Sequence, residues 1–296
     1  MVSKFYTFDE AFKASLEYFG GDELAAKVWV SKYCLKDSFD KLYELSPVDM
    51  HWRIANELAR IESKYENALS ARDIFNYLDK FSYIIPGGSP MTGIGNPYQV
   101  SSLSNCFVVG GQNDSYGGIC RVDEEQIQLM KRRGGVGHDL SHIRPKGSPV
   151  KNSALTSTGL VPFMERYSNT TREVAQDGRR GALMLSVSIN HPDAEDFINA
   201  KVEQGKVTGA NVSVRISDDF MQSVESGSDF LQTFPIDWRD ESKVEDFEVD
   251  KLVRMGGAFP SHKHVFFKRV NADKLWKKII HNAWKSAEPK HIWAII

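Results

Sequence analysis

The chain's capacity for thiol chemistry rests on three cysteines, Cys34, Cys106 and Cys120, with no Cys-x-x-Cys pair among them. Cys106 opens the apolar run Asn105-Cys106-Phe107-Val108-Val109, directly after the polar Ser101-Ser102-Leu103-Ser104. That pattern places a thiol at a strand end, where α/β folds commonly build sites. Packing is the ordinary role of an unbridged cysteine. A redox role needs a second thiol with its Cα within about 7 Å, and neither Cys34, in a helical stretch, nor Cys120, after two glycines, is an evident partner.

Anion chemistry has three candidate segments. Gly134-Gly135-Val136-Gly137 follows Lys131, Arg132 and Arg133, so a ligand could approach the backbone closely with positive charge beside it; a tight turn is the plainer reading. It is no Walker A loop, because the lysine and hydroxyl required after the last glycine are absent. Arg144-Pro145-Lys146-Gly147-Ser148-Pro149, with Lys151 close behind, is either a phosphate site stiffened by two prolines or a solvated turn. Gln176-Asp177-Gly178-Arg179-Arg180-Gly181-Ala182 sets two arginines before a strand whose Ala182-Leu183-Met184-Leu185 reads as buried. Planar guanidinium forks there would suit phosphate, and an exposed charged loop is the alternative. His191-Pro192-Asp193 reads most simply as a helix cap. His138 and His142 flank Asp139 without metal-binding spacing, so no metal is assigned.

The elements that must position these residues fall into two regions. Residues 1–85 read as helical: Thr7 and Glu10 form a capping box before Phe8, Phe12, Leu16 and Phe19, and Gly20-Gly21 is a stop. A second helix begins at Asp22. Ser46-Pro47 starts a third, with Met50, Ile54, Leu58 and Ile61 as one buried stripe, and a fourth spans 72–78. In residues 86–296 short apolar runs at 106–109, 182–189 and 211–216 alternate with helical segments at 124–133, 161–174 and 192–201, and another helix starts after Ser217. That alternation predicts parallel strands joined by crossovers. Residues 226–270 are charged, with alternation that suits a hairpin, and a last helix spans 271–286.

Composition sets the outer bounds. The chain has 296 residues, 41% hydrophobic and 26% charged, which excludes disorder and small disulfide scaffolds. With 37 basic and 39 acidic side chains the net charge is −2, so no global field draws a polyanion and any phosphate site is local. An odd cysteine count suits a reducing compartment. No signal peptide and no membrane span are evident, so a cytoplasmic protein is expected.

Taken together, Leu103-Ser104-Asn105-Cys106-Phe107-Val108-Val109, Gly134-Gly135-Val136-Gly137, 143–149, 176–182 and Asn282-Ala283-Trp284-Lys285-Ser286 resemble the catalytic (large, alpha) subunit of ribonucleotide reductase, over residues 11–289. The resemblance implies an α/β fold: a helical N-terminal region followed by roughly the first half of a ten-stranded α/β barrel. It implies reduction of ribonucleotides to deoxyribonucleotides for DNA synthesis, with a diphosphate substrate preferred. A finger-loop thiyl radical takes the 3′ hydrogen, a cysteine pair supplies reducing equivalents and water leaves C2′. Cys106 matches the first thiol of that pair. Ser89, in Pro86-Gly87-Gly88-Ser89-Pro90, and Asn105 match substrate-pocket positions, and Arg180 matches the loop arginine that reaches the substrate. Asp114, Ser115, Arg144 and Lys151 match a dNTP or ATP effector site, with Asp114 on the effector's sugar and Arg144 on its phosphates. The helical segments 124–133 and 161–174 match a homodimer interface. Further implied partners are a radical source, either a metal-containing small subunit or adenosylcobalamin, and a thioredoxin or glutaredoxin-type reductant.

No ATP-cone module is evident at the N-terminus. After Ala287-Glu288-Pro289 the residues 290–296 depart from the family, and the finger-loop cysteine, its glutamate and the second reducing cysteine have no counterpart. The expectation is a reductase portion that is inactive alone and needs a chain supplying the second half-barrel; a split gene, an interrupting element or a truncation would each account for the ending. The alternative is a non-catalytic effector-binding or dimerisation fragment.

Overall fold

A computed structural model describes residues 4–110, 113–150, 152–174, 181–202, 206–236, 251–253 and 264–293. The chain forms two compact units, one of residues 1–105 with 132–134, the other of 106–131 with 135–296.

The first unit is helical, and its helices begin where side chains satisfy the first-turn N–H groups. Thr7 and Glu10 close a capping box on α1 (Phe8–Tyr18), and Asp22 caps α2 (Glu23–Lys32). Ser46 with Asp49 and Ser70 with Asp73 do the same for α3 (Pro47–Glu62) and α4 (Ala71–Leu78), and a short α5 (Gly88–Gly93) follows. Trp29, Val30, Met50, Ile54, Phe75 and Leu78 form the core. The expected stripe on α3 is corrected in its second half: Met50 and Ile54 are buried, but Leu58 and Ile61 are each 37% exposed, because the core reaches only the first turns of that helix. Residues 86–105 belong to this unit. Arg53, ion-paired with buried Glu44 at 2.7 Å, donates to the carbonyls of Met91 (2.8 Å) and Ile94 and so ties α5 to α3.

The second unit runs β1 (Cys106–Val109), α6 (Tyr116–Met130), β2 (Gly135–Asp139), α7 (Val161–Glu173), β3 (Leu183–Ser188), α8 (Ala194–Asn199), β4 (Asn211–Ile216), α9 (Asp218–Ser226), β5 (Asp229–Ile236), β6 (Lys251–Val253), β7 (His264–Asn271), α10 (Ala272–Ser286) and β8 (Lys290–Trp293). Five strands form an open parallel sheet in the order β1-β2-β3-β4-β8, and β5-β7-β6 form an antiparallel one. The helical region followed by a parallel α/β sheet agrees with the expected fold class, as an open part of a barrel. Two strands were not legible as such. Gly135, Val136 and Gly137 of the glycine-rich segment belong to β2 and are not a turn, since their backbone is hydrogen-bonded between β1 and β3. Lys290–Trp293, past Pro289, pairs with β4 as the last strand of the sheet.

Helices α6, α7, α8 and α10 bring Ile119, Met164, Tyr167, Phe197 and Ile279 against Val109, Val136, Leu185, Val187, Val212 and Val214 in one continuous core. All those strand residues lie on one face of the sheet.

Candidate functional site

The opposite face carries glycines, serines and charged groups, with Val108 and Met184 as exposed apolar residues among them. Two-residue alternation along β1 buries Val109 and turns Cys106 and Val108 outward, with Val108 90% exposed. The parallel register sets Cys106 beside Gly135 and Val108 beside Gly137, then Gly137 beside Met184, Asp139 beside Ser186, Ser186 beside Ser213 and Ser188 beside Arg215. On this face the first residues of β2 are Gly135, buried beside Cys106, and Gly137, where the atom nearest a built Cβ is 3.8 Å away, so packing does not demand the glycine at 137. The reading of 182–185 as wholly buried is corrected here, since Ala182 and Met184 are exposed.

At the far ends of β2 and β4, Asp139 and Arg215 form an ion pair of 2.8 Å. Ser186 donates to the same carboxylate at 3.1 Å, and Arg215 reaches Ser141 at 3.2 Å. These groups were missed in the sequence. Their signal was the period-two placement of Ser186, Ser188, Ser213 and Arg215 inside otherwise apolar strands.

Of the residues assigned to substrate, Ser89 and Asn105 are brought together within the first unit: the Ser89 backbone N–H donates to Asn105 Oδ1 at 2.8 Å. A Cβ at Gly87 would collide with the Asn105 amide, which explains glycine there. Ser89 is 1% exposed, and its hydroxyl has no hydrogen-bond partner among the described residues. A buried hydroxyl left this way calls for a partner from elsewhere. Arg180 lies outside the described residues, as does the rest of 175–180.

Asp114, Ser115 and Arg144 are also brought together, in the wall of a cavity of about 590 Å³. Arg144 Nε pairs with the Asp114 carboxylate, and Nη1 donates to the Pro149 carbonyl at 2.5 Å. The guanidinium is thus fixed in orientation at two of its nitrogens. Ser115 caps α6, accepting from the Gly118 N–H at 3.1 Å, so the positive end of that helix faces the same space. Ile119, Ile143 and Phe163 give the cavity an apolar side, and Asn152, Thr156 and Thr158 a polar one. Lys151 lies outside the described residues.

His138, His142 and His191 are each held by a hydrogen bond. His138 is buried with Nε2 2.7 Å from Gln126 Oε1, and burial pulls its pKa down to about 4. Among the described residues no three His, Cys, Asp or Glu side chains converge as a metal site. Asp193 stands at the N-cap position of α8, as the cap reading has it, but its side chain makes no bond to that helix and accepts instead from the N–H groups of Lys146 and Leu160. Among the described residues no helix is long and apolar enough to cross a membrane.

Comparison with known proteins gives this arrangement its context. Residues 19–97 match the ribonucleotide reductase all-alpha domain and residues 104–294 the ribonucleotide reductase barrel domain. The chain is 30% identical over 222 residues to the vitamin B12-dependent ribonucleoside-diphosphate reductase of Thermoplasma acidophilum, a stretch covering 72% of this chain and 25% of that protein. It is 27% identical over 273 residues to the ribonucleoside-diphosphate reductase subunit alpha of Helicobacter pylori, covering 90% and 33%. To the large subunit of Caenorhabditis elegans it is 29% identical over 195 residues, covering 63% and 24%. The chain therefore spans a quarter to a third of the length of these relatives. A helical unit, an open parallel sheet bearing an outward thiol, and domain matches over most of its residues place this chain in the ribonucleotide reductase large-subunit family.

Proposed function

We propose that this chain is the N-terminal portion of a ribonucleoside-diphosphate reductase catalytic subunit, with Cys106 as one of two reducing thiols. The observation that carries the reading is the placement of Cys106, exposed at the start of β1 on the sheet face away from the helices, in register with Gly135 of β2. In the net step the C2′–OH bond is replaced by C2′–H, water leaves, and two thiols become a disulfide. The family resemblance assigns Ser89, Asn105 and Arg180 to the substrate. A nucleoside triphosphate effector occupies the cavity, its phosphates on Arg144 and Lys151 and its sugar near Asp114 and Ser115. Neutral overall charge makes these local donors decisive.

In this reading the protein acts in the cytoplasm as a homodimer through α6 and α7. It receives a radical from a metal-bearing partner subunit or adenosylcobalamin and is re-reduced by a thioredoxin or glutaredoxin-type protein. The test is reduction of a ribonucleoside diphosphate once the remaining length of reductase is supplied. Turnover should appear and should vanish in Cys106→Ser; full turnover in that variant overturns the assignment. Binding of a triphosphate without turnover in the wild type would leave the effector-binding fragment as the correct reading. Arg144→Ala should weaken triphosphate binding about tenfold by calorimetry, as loss of a charge-assisted contact requires, and unchanged affinity would remove Arg144 from the site.

A further inference from the structure

The His191-Pro192-Asp193 turn leads into α8 through its backbone, the Phe197 N–H donating to the Asp193 carbonyl at 2.9 Å, while its side chains are bound behind the cavity wall. Asp193 is 7% exposed, and its carboxylate accepts the N–H of Lys146 (2.9 and 3.1 Å) and of Leu160 (3.2 Å). Those two donors are the ends of one stretch of chain, residues 146–160. His191, 2% exposed, holds a third point. Its Nδ1 accepts the Asp193 N–H at 3.0 Å, so the proton sits on Nε2, which donates to the Ile143 carbonyl at 2.8 Å. Burial pulls the imidazole pKa down to about 4, which keeps the neutral ring that this pair of bonds needs. Gly159, at φ +79°, completes the fit: a Cβ there would run into the Asp193 carboxylate and the Lys146 side chain.

The held stretch supplies the polar side of the cavity through Asn152, Thr156, Ser157 and Thr158. It folds back on itself, Gly147 N–H to Ser157 carbonyl at 2.9 Å and Ser157 N–H to Ser148 carbonyl at 2.8 Å, and the Ser157 hydroxyl donates to the Arg144 carbonyl at 3.3 Å. Neither His191 nor Asp193 lines the cavity.

We infer that His191 and Asp193 are positioning residues for the triphosphate cavity: from behind its wall they hold residues 143–160 in the conformation that presents Arg144 and the hydroxyls of the stretch to an anion. The inference rests on the nucleotide reading above. Removing the carboxylate leaves two buried N–H groups unpaired, and apparent affinity falls with the fraction of molecules whose wall is in the competent conformation.

The test compares wild type, Asp193→Asn and Asp193→Ala as the whole chain, by calorimetry with thymidine triphosphate and by hydrogen exchange without ligand. Asparagine keeps an oxygen able to accept both N–H groups; alanine keeps none. Asp193→Ala should bind about tenfold more weakly and exchange faster within 143–160 while β3 and β4 stay protected, and Asp193→Asn should recover most of both. Wild-type affinity in Asp193→Ala overturns the inference, as does loss of protection spread through β3 and β4. If the wild type binds no triphosphate, the nucleotide reading fails on its own account. Exchange then decides the anchoring: local loosening upholds it and unchanged exchange refutes it. Should Asp193→Ala not fold, Gly159→Ala, which presses on the same carboxylate, should give the same local signature.

Discussion

Cys106 separates two kinds of evidence about a cysteine. Composition favours a packed thiol, and Cys34 is one: buried, its pKa pushed up to about 12 by desolvation, its sulfur donating to the Glu44 carbonyl at 3.3 Å. Cys106 is exposed because β1 alternates and covers only one face of the sheet. Cys106→Ser should therefore shift stability by no more than about 0.5 kcal/mol, as surface substitutions do. Thermal melting of the isolated chain checks this independently of turnover.

At the scale of elements, the helical unit is held by local chemistry. Ser46 accepts from the Val48 N–H at 3.3 Å, and Asp49 accepts from the N–H groups of Ser46 (3.4 Å) and Leu45 (2.7 Å), so one serine and one aspartate fix the start of α3 and the angle at which it enters the core. Ser46→Ala should cost about 1 kcal/mol, read as a lower urea midpoint with unchanged slope. The sheet is less self-sufficient. Among the described residues β1 is an edge strand with Val108 almost fully exposed, and an apolar edge invites pairing with another chain. Val108→Lys should reduce self-association of the 296-residue chain, measured by light scattering across a concentration series.

For the whole molecule the buried histidines dictate a pH response. Burial lowers the pKa of His51, His138 and His191 to about 4. Each is protonated in the unfolded chain below about pH 6.5 while the folded form stays neutral. Their contribution is thus complete above the unfolded value and is lost as pH falls toward 4. Asp193, whose carboxyl burial pushes up to about 6, acts in the opposite sense: the fold takes up its proton more readily, so its own term favours folding as pH falls. Glu44, raised by burial, sides with Asp193, whereas Glu10, Asp37, Glu57, Asp73 and Glu195, all held below the usual carboxylate range, side with the histidines, so more shifted groups act toward acid destabilisation than against it. Replacing His138 with glutamine should remove on the order of 2 kcal/mol of the stability difference between pH 7 and 4.5, observed by urea titration at both values. An equal difference in wild type and variant would contradict the assignment.

Local rules read directly from the residues account for much of this chain. The caps at Thr7, Asp22, Ser46 and Ser217 and the apolar runs at 106–109 and 211–216 act over a few positions, so spacing alone reveals them. The clustering of Asp114, Ser115 and Arg144 was reached through family resemblance, since no local pattern links residues 30 apart. Tertiary structure alone decided the rest. Gly135–Asp139 is a strand because two neighbours hydrogen-bond it, against the propensity of its glycines. The polar face of Asp139, Ser186 and Arg215, and the reach of Asp193 to Lys146 and Leu160, exist only once distant segments lie side by side. Hydrogen bonds and ion pairs between residues tens of positions apart leave no period in the sequence, and that is the physical reason they stayed hidden until the chain was folded.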